Sequence, residues 1–299
     1  MDNLYTPFFF NLNLKEMIFK KITHGIVLLS FLFFLTNCTS SDTENTARIQ
    51  LKLVDAPGDY MSVNIEIINL QYKSNAEDNE WQNFNPEINY PIQVDLISLT
   101  AGNKLLLTDH VLPAGNLHQI RLVLSNNNTL EIEGNVPDQS FTAHLNTPSA
   151  QQSGLKLILN QKLEAGLTYS FLLDWDVQQS IIKAGNSGKF NLNPVIKVIS
   201  ETNTGSLKGK LTANVLSDNS KQVPLYNATI ALYNISEDLI AQTTSNEKGD
   251  YMLYGIPPGD YHLDISHKSY AEHASEGTIN ITKAKVYDYG LIELSKRTL

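Results

Sequence analysis

Arg48-Ile49-Gln50-Leu51-Lys52-Leu53 sets apolar against polar residues one for one. A period of two puts every apolar side chain on one face, as in a strand with one dry and one wet side. The same alternation returns at Ile120, Leu122 and Leu124, at Leu155, Leu157 and Leu159, and at Phe171, Leu173, Trp175 and Val177. Val63, Ile65 and Ile67 share one face, and then the phase slips to Ile68, Leu70 and Tyr72. A β-bulge near Ile67–Ile68 reconciles the two halves. No fifteen-residue run carries a helical period. Short strands divided by turns such as Asp55-Ala56-Pro57-Gly58-Asp59 predict an all-β chain built as sandwiches or barrels.

Composition narrows the function. The 299 residues are 42% hydrophobic and 18% charged, which suits a folded chain with a real core. A net charge of −9 excludes a general nucleic-acid binder, which needs a basic face to displace counterions. The single cysteine excludes an internal disulfide framework and any paired-cysteine metal or redox motif.

Ile26 to Leu35 (IVLLSFLFFL) is about half the length that crosses a bilayer as a helix. Lys20 and Lys21 precede it and a polar stretch follows, the layout of a secretory signal. It runs into Leu35-Thr36-Asn37-Cys38, which resembles the bacterial lipobox, with Asn37 where the pattern prefers a small residue. The resemblance implies lipid attachment at Cys38 after removal of residues 1–37. Residues 1–16 fit no signal architecture, so Met17 is the expected true start. Residues 38–46 read as a lipidated polar tether. Position 39 is Thr, so the Asp that retains lipoproteins at the inner membrane is missing. Ser41-Asp42-Thr43-Glu44 resembles the acidic export signals of Bacteroidota surface lipoproteins.

Glu201-Thr202-Asn203-Thr204-Gly205-Ser206 has no apolar side chain and reads as a linker. It separates a domain over 47–200 from one over 207–299. Eight of the thirteen tyrosines lie beyond it. The second domain contains Val223-Pro-Leu-Tyr-Asn-Ala-Thr-Ile, Thr244-Ser-Asn-Glu-Lys-Gly-Asp-Tyr and Ile256-Pro-Pro-Gly-Asp-Tyr. These resemble the carboxypeptidase regulatory-like family, a transthyretin-like β-sandwich. Tyr261, Leu263 and Ile265 should then point inward, with His262, Asp264 and Ser266 outward. The first domain contains Val54-Asp-Ala-Pro-Gly-Asp-Tyr, Leu112-Pro-Ala-Gly-Asn-Leu-His and Leu173-Asp-Trp-Asp-Val. It resembles domain-of-unknown-function family 4382, an uncharacterised lipoprotein family. The resemblances together imply two antiparallel β-sandwich domains in tandem behind a lipoprotein signal peptide. Neither family implies an activity.

The residues that could carry chemistry are few. His273-Ala-Ser-Glu276 spells H-x-x-E, but no histidine follows it as a third zinc ligand, and it is expected in a surface loop. His262, His267 and His273 cluster in sequence without the spacing of a ligand set. There is no G-x-S-x-G, and Gly185-Asn-Ser-Gly188 reads as a hairpin turn. Nucleotide-cradling glycine motifs are likewise missing from the sequence. Asp174 and Asp176 flank Trp175, so a strand puts both carboxylates on one face, about 7 Å apart. With Asp55 and Asp59 they are candidate Ca²⁺ ligands, or equally an exposed strand face and turn-capping aspartates. The tyrosines are candidates for a sugar-stacking platform or for half-buried sandwich positions.

The expected function is a non-enzymatic protein with no cofactor, lipid-anchored at the outer membrane or cell surface. It presents β-sandwich modules to a protein or glycan, in adhesion or as a nutrient-uptake accessory. The alternative is a Ca²⁺-dependent glycan binder, or a glycan-active enzyme, using Asp174 and Asp176.

Overall fold

A computed structural model describes residues 45–56, 58, 60–84, 89–134, 139–147, 153–185, 187–215 and 218–297. Cys38, the signal peptide expected over residues 1–37 and Asp59 lie outside the described residues.

The first region holds β1 (Thr46–Ala56), β2 (Ser62–Lys73), β3 (Gln82–Asn83), β4 (Ile92–Asp95), β5 (Leu105–Pro113), β6 (Gly115–Leu124) and β7 (Thr129–Glu133). It continues with β8 (Ser140–Asn146), β9 (Leu155–Leu163), β10 (Thr168–Asp176), the four-residue helix α1 (Val177–Ser180), β11 (Ile181–Lys183), β12 (Phe190–Leu192) and β13 (Ile196–Ser200). One sheet has the order β13-β10-β1-β5. The other follows β11-β12-β8-β7-β2-β6-β9, with β3 and β4 also on β2. Ile49, Leu51, Leu53, Phe171, Leu173 and Trp175 from the first sheet meet Val63, Ile65, Ile120 and Leu122 from the second in one dry core. β11 and β12 form the hairpin expected around Gly185–Gly188.

The second region holds β14 (Gly205–Val215), β15 (Asp218–Pro224), β16 (Thr229–Asn234), β17 (Leu239–Thr244), β18 (Asp250–Ile256), β19 (Gly259–His267), β20 (Tyr270–Ala274), β21 (Ile279–Ile281) and β22 (Val286–Leu294). β15-β14-β18, with β22 on β14, faces β17-β16-β19-β20, with β21 on β19. Leu207, Leu211, Tyr251 and Leu253 pack against Ile230, Leu232, Leu263 and Ile265 between the sheets. Gly249 ends the turn before β18 at φ +77°, where a Cβ would run into the Leu211 carbonyl. The Tyr261 hydroxyl donates to the Pro257 carbonyl at 2.7 Å, tying the Pro-Pro-Gly reversal to the strand that follows.

Most ladders are antiparallel, as expected, but three are not: β1 with β10, β8 with β12 and β14 with β22 run parallel. Alternation within a strand fixes which face is dry but says nothing of a partner's direction. The chain is a β protein of two tandem regions, and both are sandwiches. Thr46 already belongs to β1, and Gly205 and Ser206 already belong to β14, so the turn between the regions is confined to residues 201–204.

The two regions also touch. Val54, Leu172 and Ile199, on the outer face of the four-stranded sheet, form a small third core capped by Tyr254 of β18. The residues from Asn45 onward make one compact unit. Among the described residues, no helix is long and apolar enough to cross a membrane.

Candidate functional site

The parallel pairing of β1 with β10 decides where the candidate carboxylates go. Asp55 pairs in register with Trp175, and Val54 with Asp174. Asp55 therefore shares the dry face with Trp175, which is fully buried, and is itself only 4% exposed. Its Oδ1 accepts the Val177 N–H at 3.3 Å, while Oδ2 has no partner. Burial pushes the carboxyl up to about 9, and Asp174, Asp176 and Asp95 add to the rise against the Val177 bond.

Asp174 and Asp176 project from the opposite face of β10, the side that carries Leu172 and Val54. They do share a face, as alternation requires. Asp176 caps α1: its carboxylate accepts the Gln179 N–H at 2.9 Å, the usual work of an aspartate before a helical turn. Asp174 lies opposite Lys197 of β13. Burial pushes its carboxyl up to about 6, with Lys197 opposing and Asp176 reinforcing the shift. The sheet thus separates Asp55 from Asp174 and Asp176, so these three do not form the single Ca²⁺ ligand set considered from sequence. Among the described residues, no group of three or more His, Cys, Asp or Glu side chains is placed to hold a metal ion.

The three clustered histidines have separate surroundings. His273 lies on β20 rather than in a loop, with Nε2 at 3.3 Å from the Tyr289 hydroxyl. His262 Nε2 is buried without a hydrogen-bond partner, with the Glu237 carboxylate 3.5 Å away. His267 Nδ1 accepts the Ser269 N–H at 3.1 Å, and its ring packs on Tyr270 at 5.2 Å.

A polar cluster that sequence reasoning missed sits where the two regions meet. Glu201 accepts from Lys104 at 2.6 Å, Lys52 at 2.8 Å and Ser170 at 2.6 Å. Burial raises its carboxyl, but these three donors outweigh burial and hold it at about 2. Lys104 also lies 5.1 Å from the centre of the Tyr254 ring. Burial, with Asp174 and Glu201 nearby, pushes the Tyr254 hydroxyl above its ordinary range. Glu201 reads as a linker residue, and its lysine partners lie 97 and 149 positions away. No local pattern announces that cluster.

Residues 46–194 match the family described as Domain of unknown function (DUF4382), and residues 211–291 match the carboxypeptidase regulatory-like domain. The chain carries a DUF4382 domain followed by a carboxypeptidase regulatory-like domain. Asp55, Asp174, Asp176 and the first-region core therefore belong to the DUF4382 domain, and the three clustered histidines to the regulatory-like domain. No curated protein matches the sequence.

Among solved structures, the Bacillus anthracis TIE protein aligns at 12% identity and TM-score 0.25. The alignment covers 84% of this chain and 34% of that one, so the chain spans about a third of its length. The minor pilin GBS52 of Streptococcus agalactiae aligns at 13% identity over 84% of this chain and 97% of that one, with TM-score 0.27. The shaft pilin SpaA of Lactobacillus rhamnosus GG aligns at 10% identity over 85% and 98%, with TM-score 0.24.

Proposed function

We propose that the protein is a non-enzymatic lipoprotein, held at the outer membrane or cell surface through Cys38, that presents its two β-sandwich domains to a protein or glycan partner. The observation that carries this reading is the position of the sole cysteine, directly after an apolar segment too short to span a bilayer and directly before a polar tether. Acyl chains supply the anchor: each buried CH₂ contributes about 0.8 kcal/mol, so two or more chains hold stably where one does not. The tether gives reach, and loops and groove walls of the sandwiches meet the partner. Several of the residues that sequence offered for chemistry have structural roles: Asp176 caps a helix and His273 lies 3.3 Å from the Tyr289 hydroxyl, while Asp55 is buried in the dry core. That disposition supports display over catalysis.

Replacing Cys38 by Ala tests the anchor. The wild-type protein is expected to pellet with membranes and partition into detergent, and the variant to be released. A variant that still partitions into detergent would overturn the anchored reading.

A further inference from the structure

The regulatory-like domain has an open groove of about 630 Å³ at the start of β16 and the end of β19. Its wall is built in a definite way. Leu225 and Ala228 are buried, and Ser245, itself 1% exposed, holds the backbone between them: its hydroxyl donates to the Leu225 carbonyl at 2.6 Å and accepts the Ala228 N–H at 3.0 Å. The Asn227 N–H donates to the Ser245 carbonyl at 2.9 Å. Locked on both sides, this loop leaves the Tyr226 side chain 52% exposed at the groove. An aromatic ring on a fixed backbone loses little freedom when a ligand covers it.

The remaining lining is polar. Thr229 and Ser266, paired across β16 and β19, offer hydroxyls. His267 accepts at Nδ1, so its neutral ring carries the proton on Nε2 as a donor. Burial and neighbouring Lys268 hold His267 below its ordinary value, which keeps it neutral near pH 7. The two acid–base charges beyond it cancel, because Arg297 pairs with Glu272 at 3.2 Å. Lys268 has no carboxylate partner among the described residues and leaves the groove one positive charge in excess.

A flat exposed ring, flanking hydroxyls and donors, and one unpaired ammonium fit a sugar bearing an acid group. We infer that this groove binds an anionic oligosaccharide, with a sugar face stacked on Tyr226 and a uronate or sulfate group at Lys268. This deepens the presentation reading above and rests on it for the site's access to extracellular glycans. The ring distinguishes the sugar from an acidic peptide, which needs the ammonium but no stacking surface.

Isothermal titration of the purified full chain tests the assignment, with tetragalacturonate, its methyl ester, a chondroitin sulfate tetrasaccharide and hexaglutamate as probes. At least one of the two anionic sugars is expected to bind, and esterification to weaken tetragalacturonate about tenfold, or ~1.4 kcal/mol. Tyr226→Ala and Lys268→Ala should each weaken binding by a similar factor without moving the melting temperature, since both side chains are exposed. Tyr226→Phe, which keeps the ring, should retain it. Binding of neither anionic sugar overturns the assignment, as does equal binding of the ester. Hexaglutamate binding that Tyr226→Ala leaves unchanged replaces the sugar with an acidic peptide. Sugar binding that both alanine variants retain places the site elsewhere and leaves the presentation reading standing, whereas detergent partition of the Cys38→Ala variant removes the anchored reading with this site untouched.

Discussion

Asp55 is a carboxyl group in the wrong solvent. It sits beside Trp175 in the dry core with one oxygen bonded and the other alone. The folded protein holds it protonated up to about pH 9, while an unfolded chain releases the proton near the ordinary value of 3.8. Between those values the folded state binds more protons than the unfolded state, so stability falls as pH rises, by up to about 1.4 kcal/mol per pH unit. Asp55→Asn keeps the shape and removes the titration. Between pH 7 and pH 8.5, above the range in which Asp174 titrates, the denaturant midpoint should fall in the wild type and stay nearly level in the variant. Equal slopes in the two proteins would show that Asp55 does not carry the effect.

Glu201 has the opposite sign at the same scale. Its depressed value means that its contribution is present above about pH 4.5 and fades as pH drops toward 2. These residues also mark how far sequence reading reaches. Asp55 reads from sequence as a turn-capping aspartate, but it belongs to β1, and its burial there depends on β10 lying parallel beside β1. Glu201 was invisible, because its partners come from strands far away in the chain.

At the scale of elements, β2 shows how a pattern break becomes structure. Val63, Ile65, Ile67, Leu70 and Tyr72 all reach the same core, because the register shifts between Ile67 and Asn69 and turns Ile68 outward. The phase slip in the sequence thus predicted the bulge, since two-residue periodicity cannot otherwise keep both halves dry. What the sequence hid is that β2 changes partners along its length. β7 pairs with its first residues and β6 with its last, and the chain crosses from one to the other over residues 125–128.

Asn128 closes that break. Fully buried, it accepts the Glu66 N–H at 2.8 Å and donates to the Ser125 carbonyl at 2.8 Å, so a side chain replaces the missing ladder bonds. Asn128→Ala leaves the buried Glu66 N–H unpaired and the Ser125 carbonyl with the Thr147 hydroxyl at 3.3 Å alone, and should cost about 1–3 kcal/mol in chemical denaturation. A loss below about 0.5 kcal/mol would mean that water takes over the role. The inward Tyr261, Leu263 and Ile265 and the outward His262, Asp264 and Ser266 of β19 follow the sequence pattern directly. Strand pairs remote in sequence, such as β14 with β22, do not, because nothing local encodes their direction.

For the whole molecule, two sandwiches share a third small core at Tyr254, and the Glu201 cluster lies on the same side of the first domain. Composition and alternation were enough to read two β bodies, because each needs its own dry layer between sheets. They did not disclose the contact between them, since Val54, Leu172 and Ile199 look like ordinary core residues until the strands are assembled. The groove at Tyr226 was half legible: a tyrosine-rich second domain was evident, but which rings stay exposed depends on the loop that Ser245 fixes.

All of this serves display only if the chain is held at a surface by its front end. Mass spectrometry of the N-terminal peptide from protein purified out of its native membrane tests that directly. The account predicts a peptide beginning at Cys38 and carrying two or three acyl chains. A Cys38 peptide with a free thiol, or one still joined to residue 37, would contradict it.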